Sequence, residues 1–437
     1  MRISLRTAAG ATVDDDSAFG IIADILIPGR GDPVSKGALV VKDSVIAWVG
    51  SQDDIPDDYS SLKFAHVPVL MPGMWDVHTH FCGTDVVDSE AGRAFLPGMA
   101  ALIGAITVDD LRATLMAGFT SVRELGGYAG DVAPAVELGA IVGPNVYSAM
   151  SILSITGGHG DPYNLPPQFG MSAFMYGVPF LVCDGVEACT RAVRQVVRRG
   201  AKVIKICSTG GVLSLNDQPE DSQFSPDELR AMVQEAKRSG RVVASHAIGR
   251  DGIMAALDAG VKSIEHGMYI DEEVVARMKE VDAILVPTRK IVENLSRNSD
   301  GLPKPVKVKL ERMTQLSRDS FMLAVKLGVK VALGTDTFSS DRKSDMAHGT
   351  NAEELHWAVE AGMTPLQAIE MATATPPETL GSQARKAGQL KAGYDADIIA
   401  VSKNPLDDIR VLIKTSNITH VWKAGKLYKS PRGYSRD

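Results

Sequence analysis

Cysteine is scarce in this chain of 437 residues: Cys82, Cys183, Cys189 and Cys207 are all there is, and no two stand in CxxC spacing. In a chain of this size they read as reduced, mostly buried thiols. Long hydrophobic runs are missing too. No apolar stretch reaches the roughly 18 residues of a membrane span. There is no Lys/Arg block, and 46 basic against 53 acidic residues leave a formal net charge of −7. Nothing therefore supports a nucleic acid or an anionic membrane surface as partner. No GxGxxG follows a strand, which removes the usual sign of a dinucleotide-binding fold. Residues 1–16 carry two arginines but no apolar segment after them, and Asp14, Asp15 and Asp16 stand where a cleavage site would lie. That reads as a chain without a signal peptide, hence a cytoplasmic location. What remains is ordinary globular composition, 45% hydrophobic and 23% charged, with no sign of disorder, collagen or coiled coil.

The two ends of the chain are rich in β-type runs. Ile21–Ile27, Ala38–Val41 and Val45–Val49 are separated by turn residues such as Pro28-Gly29-Arg30-Gly31-Asp32-Pro33, and Ala396–Val401 and Asn417–Trp422 repeat the pattern near the C-terminus. This predicts one small β-sandwich domain assembled from residues 1–71 and 385–437. Residues 72–384 alternate strands and helices. Thr107-Val108-Asp109-Asp110 reads as a capping box that opens a helix ending at Gly118, and Ser225-Pro226-Asp227-Glu228 as another. A long helix is expected near 304–327 and a last strand over Lys330–Thr337. About eight strand–helix units fit an α/β fold, a (β/α)8 barrel of the TIM type, better than an open sheet. Residues 82–106 and 152–185 are too long for simple connections. Both follow strands, so both would lie over the C-terminal mouth of a barrel.

The chemistry starts at His78-Thr79-His80, at the end of a predicted strand. Alternate strand residues face one side, so both imidazoles can share a metal. Lys205 stands inside the apolar strand Val203-Ile204-Lys205-Ile206, where a lysine is costly unless paired or chemically altered. His246, His266 and Asp336 end three further strands. Six residues with metal-ligand chemistry thus collect at one mouth.

The run Met71-Pro72-Gly73-Met74-Trp75-Asp76-Val77-His78-Thr79-His80, the strand lysine, the two single histidines and Gly334-Thr335-Asp336 resemble the amidohydrolase superfamily. Thr156-Gly157-Gly158-His159-Gly160-Asp161 and Gly393-Tyr394-Asp395-Ala396-Asp397 add to the likeness, which is greatest with its metal-dependent carboxypeptidases of the ochratoxinase and Xaa-Pro dipeptidase type. The resemblance implies two Zn²⁺ per chain. His78, His80 and Asp336 would hold one, His246 and His266 the other, and an N-carboxylated Lys205 would bridge them. A bridging hydroxide would attack the amide, with Asp336 as the group that takes and returns its proton. His159 would stand near the substrate. Arg289, just past the seventh strand, could bind a substrate carboxylate in bidentate fashion. Ile248 occupies a position where relatives commonly have Tyr or His, which makes that wall apolar. Cys207 shares a strand face with Lys205 and reads as packing.

The expected activity is hydrolysis of the amide bond to a C-terminal amino acid, in N-acyl amino acids, dipeptides or ochratoxin-like phenylalanine amides. The alternative is a cyclic-amide hydrolase of the imidazolonepropionase type with the same ligands. A non-catalytic scaffold predicts lost ligands, and all six are present. A single-metal deaminase has no need of Lys205. The resemblance also implies a homo-oligomer, often an octamer.

Overall fold

A computed structural model describes residues 18–83, 100–162 and 174–431. In chain order the elements are β1 (Phe19–Leu26), β2 (Val34–Lys42), β3 (Val45–Ser51), β4 (Phe64–Pro72), β5 (Met74–Thr79), α1 (Ala100–Met116), β6 (Phe119–Glu124), α2 (Ala129–Glu137), β7 (Asn145–Ser148), β8 (Ile152–Ser154) and β9 (Phe180–Val182). They continue with α3 (Val186–Arg199), β10 (Ile204–Cys207), α4 (Pro226–Arg238), β11 (Val243–Ala247), α5 (Arg250–Ala259), β12 (Ser263–His266), α6 (Glu272–Glu280), β13 (Ile284–Val286), α7 (Arg289–Arg297) and α8 (Lys304–Lys326). The chain closes with α9 (Glu353–Glu360), α10 (Pro365–Ala372), β14 (Ile398–Val401), β15 (Ile418–Lys423) and β16 (Lys426–Lys429).

Strands from both ends of the chain share one seven-stranded sheet, ordered β16-β15-β14-β4-β1-β2-β3. The join is made where β14 pairs antiparallel with β4, Ile398 opposite Pro72. Ile21, Leu39, Leu70, Ile398 and Trp422 pack together in its core. Strand β4 had no counterpart in the sequence reading; its Phe64-Ala65-His66-Val67-Pro68 half mixes exposed and buried positions.

The central strands run parallel, in the orders β5-β6-β7 and β13-β12-β11-β10-β8-β9. β5, β6, β10, β11, β12 and β13 are buried along their whole length, as parallel strands covered by helices must be. The strand expected at Lys330–Thr337 is not a continuous ladder. It makes separate bonds to both neighbours: Leu285 N to Lys330 O and Ala332 N to Leu285 O, both at 2.9 Å, on one side, and Val77 N to Leu333 O at 2.8 Å, Asp336 N to His78 O at 2.8 Å and His80 N to Thr337 O at 2.9 Å on the other. Gly334 is the reason the segment fits, since a Cβ there would lie 2.3 Å from Val286 Cγ1 and 2.7 Å from His78 Cβ.

Helix ends follow their local chemistry. Ser225 and Glu228 close a reciprocal capping box on α4, and Gly200 ends α3 at φ 112°. Thr107 does not open a helix. It lies inside α1, which already runs from Ala100, because Ala, Leu and Ile upstream are good or acceptable helix formers and carry the helix back past it. The four cysteines are free and buried. Among the described residues no helix is long and apolar enough to cross a membrane. Residues 84–99 and 163–173, the greater part of the two long connections, and 1–17 lie outside the described residues.

Candidate metal centre

All six candidate ligands line one cavity: His78, His80, Lys205, His246, His266 and Asp336. They come from the C-terminal ends of β5, β11, β12 and the 330–337 segment and from the middle of β10. Backbone torsion helps to aim two of them. His266 (φ 72°) and Asp336 (φ 59°) both sit in the left-handed region, a strained conformation for non-glycine residues that collects at functional sites. One ligand atom from each of His78, His266 and Asp336 lies within 4.8 Å of the others, a group able to hold a metal ion. Asp336 Oδ1 is 3.1 Å from His80 Nε2 and 3.6 Å from His78 Nε2.

Each histidine is anchored through one ring nitrogen and offers the other. His78 Nδ1 donates to Glu265 Oε2 at 2.8 Å, His80 Nδ1 to Gly126 O at 2.7 Å, and His266 Nδ1 to Thr288 Oγ1 at 2.8 Å. His246 is reversed: Nε2 donates to Gly210 O at 3.0 Å, which leaves Nδ1. Outer contacts of this kind fix the ring orientation and tautomer of metal-binding histidines. Burial pushes His266 down to about 3, and drives His78 and His246 well below the ordinary histidine value, with Lys205 adding to the effect. All three rings are therefore neutral and free to ligate. Burial alone would raise the Asp336 carboxyl, but His78, His80 and His266 more than reverse this and hold it well below the carboxylate range.

Lys205 is the odd member. It is 2% exposed, its Nζ has no hydrogen-bond partner among the described residues, and burial lowers its pKa. A buried amine without a partner is expensive. Carboxylation of Nζ would convert that cost into two anionic oxygens among four imidazoles, so the residues present fit a metal pair.

Three groups that hold the centre were not recognised from sequence. Glu265, fully buried, takes His78 on one oxygen and Arg123 Nη2 at 2.7 Å on the other. Arg123 also donates to Val77 O at 2.5 Å. Asp76 accepts from His78 N at 3.0 Å, Thr335 Oγ1 at 2.6 Å and Asn351 Nδ2 at 2.7 Å, tying β5 to the segment that bears Asp336. The available signal was weak: Arg123, Glu265 and Asp76 stand in short strands that mix polar and apolar residues.

His159 and Ile248 also reach the cavity. The His159 ring lies on His246, centroids 4.1 Å apart and planes 20° from parallel. Burial lowers its pKa to about 4. Ile248, 1% exposed, forms an apolar chamber beside Asp336 with Leu213, Met268, Ile291, Leu310 and Met313. Cys207 lines the cavity on the strand of Lys205. Arg289 does not reach it. Thr288 bends the chain at φ 46° into α7, and the Arg289 side chain pairs along that helix with Glu293, in a separate pocket with Arg318 and Trp357. No arginine lines the cavity among the described residues, so the expected bidentate contact to a substrate carboxylate is not made by Arg289.

The amidohydrolase family model matches residues 69–428. The chain is 45% identical to ochratoxinase of Aspergillus niger, over 99% of this chain and 91% of that protein. The crystal structure of A. niger ochratoxinase superposes with a TM-score of 0.88 at 46% identity, covering 95% of this chain and 96% of the other. A Xaa-Pro dipeptidase solved with methionine in its active site gives a TM-score of 0.81 at 30% identity, covering 95% of this chain and 100% of that one. Imidazolonepropionase of Deinococcus deserti is 24% identical over 90% of this chain and 92% of its own length.

Proposed function

The chain belongs to the amidohydrolase family and is a hydrolase of amide bonds, and from that premise we propose that it is a binuclear zinc enzyme releasing a C-terminal amino acid from N-acyl amino acids, dipeptides and ochratoxin-like phenylalanine amides. The observation that carries this reading is Lys205, whose buried Nζ, without a hydrogen-bond partner among the described residues, stands among four histidines that are each anchored through one ring nitrogen. His78, His80 and Asp336 would hold one ion, His246 and His266 the other, and carboxylated Lys205 both. When bound, the two ions would bring the pKa of a shared water towards neutrality and polarise the scissile carbonyl.

The protein's own groups do the rest. Asp336 takes the proton of the attacking water and returns it to the leaving amine. His159, resting on His246, orients the amide. The chamber around Ile248, Met268 and Met313 excludes water and takes a bulky apolar group. This favours aromatic amides over charged dipeptides, and over the small polar ring of a cyclic amide. In the same reading the separate bonds made by residues 330–337 close the parallel strands into a (β/α)8 barrel spanning 72–384. Residues 1–71 and 385–437 make up the second domain, in which the one seven-stranded sheet would fold over on itself as a β-sandwich, and the protein is a cytoplasmic homo-oligomer, octameric by resemblance.

The test is amino acid release by the zinc-loaded protein from N-acyl-phenylalanines, Xaa-Pro dipeptides, ochratoxin A and an imidazolone. Release of phenylalanine from the aromatic amides is expected. Turnover of the imidazolone alone would move the chain to the cyclic-amide branch.

A further inference from the structure

Among the described residues only one ring nitrogen of His159 is engaged by the protein. Nδ1 lies 3.0 Å from Ser214 Oγ, while the ring lines the cavity beside His246 and Asp336, and Nε2 has no hydrogen-bond partner among the described residues. A serine hydroxyl has one proton to give. Ser214 Oγ gives it to Asp217 Oδ1, and the other acceptor within its reach is Gly211 O at 3.3 Å. Asp217 is the acceptor towards Ser214, for it also takes Gly211 N at 3.3 Å, Gln223 Nε2 at 3.2 Å and Lys309 Nζ at 3.5 Å. The hydroxyl proton thus points away from the imidazole, and Ser214 Oγ must accept from Nδ1–H. The neutral ring then carries a lone pair on Nε2.

The surroundings hold that arrangement. Lys309, buried, donates to Gly211 O at 2.9 Å and Ser214 O at 2.7 Å and so pins the 211–217 loop to α8. Gln223 Oε1 accepts from His159 N at 3.1 Å. Gly211 packs on the ring edge so closely that a Cβ would lie 2.2 Å from Nδ1.

We propose that Ser214 and Asp217 are positioning residues that lock the His159 proton on Nδ1, so that Nε2 accepts a hydrogen bond from the substrate and selects scissile amides that carry an N–H over tertiary amides such as those of proline. The inference rests on the amide-hydrolase reading of the same cavity. A carbonyl oxygen or a carboxylate cannot bond to a lone pair. The N–H is the donor that every secondary amide brings to the reacting bond. In a tertiary amide a carbon takes its place, and Nε2 is left unsatisfied.

Two measurements test this on the zinc-loaded enzyme. The first compares kcat/KM for N-acetyl-L-phenylalanine and its N-methyl analogue. The unmodified enzyme should prefer the secondary amide by at least about tenfold, the scale of one lost hydrogen bond. Ser214→Ala should narrow the preference to about threefold or less, and Ser214→Thr, which keeps the hydroxyl, should retain it. The second reads the tautomer from ¹⁵N–¹H correlation spectra of ¹⁵N-histidine-labelled protein, with His159 assigned through His159→Gln. A protonated Nδ1 with a bare Nε2 is expected, and the pattern should change in Ser214→Ala. Equal hydrolysis of both amides by the unmodified enzyme, or a protonated Nε2, overturns the proposal. Failure on both amides speaks against the amide reading instead, and the spectrum then decides the tautomer by itself.

Discussion

Removing the Glu265 carboxylate should damage folding and metal binding by separable amounts. Glu265 and Arg123 are both fully buried and paired at 2.7 Å. Glu265→Ala strands the guanidinium away from water, and breaking a buried pair in this way costs about 3–5 kcal/mol. Arg123 keeps Val77 O at 2.5 Å and Ser263 Oγ at 2.9 Å, which places the loss at the lower end. His78 also loses the acceptor that fixes its ring, a change worth about 10- to 100-fold in metal affinity. The double variant Arg123→Met/Glu265→Leu separates the two effects. It removes the stranded charge and should recover most of the stability, while zinc affinity stays low because His78 still lacks its partner. Urea denaturation of the metal-free protein measures the first quantity, and zinc competition against a chelator the second. A Glu265→Ala protein within about 1 kcal/mol of the parent, with unchanged zinc affinity, would refute this account of the outer contacts.

Lys205→Ala should lose activity and release metal readily, with partial recovery on adding short carboxylates; full activity without any additive would rule out the bridging role. Asp336→Asn should keep the fold and lower kcat by about 10²–10⁴, the scale of a lost general acid/base, so a near-normal kcat would assign proton transfer elsewhere. Acid should destabilise the metal-free protein. Burial holds His266 at about 3 and His159 at about 4, against about 6.5 in an unfolded chain. Below about 6.5 the unfolded chain therefore binds more protons than the folded one, and stability falls as pH drops from there through about 3. Asp336, held below the carboxylate range, adds to the loss below about 4. Urea midpoints that stay level between pH 7 and pH 4.5 would contradict this.

The candidate metal centre was legible because its residue types are unusual where they stand. Two histidines two apart at a strand end and a lysine inside an apolar strand stand out in a linear chain. The residues that orient them do not. Arg123 and Glu265 are 142 positions apart, and each by itself looks like an ordinary charged residue until both are found buried. Arg289 shows the opposite error. Its position after a strand pointed to the mouth, but Thr288 at φ 46° and Glu293 one helical turn on draw it into α7. Thr107 shows a local signal overridden: a capping-box pattern means little when the residues before it are also helical. A last central strand was expected over 330–337, but isolated bridges and separate backbone bonds to two neighbours stand there instead of a ladder, which no local pattern distinguishes.

The central claim is a metal pair bridged by a modified lysine. Metal analysis of the purified protein, combined with anomalous diffraction at the zinc edge, tests it most directly. The account predicts close to two zinc ions per chain and additional density on Lys205 Nζ for a carboxyl group between them. A fully loaded protein with one ion and an unmodified Lys205 would contradict it.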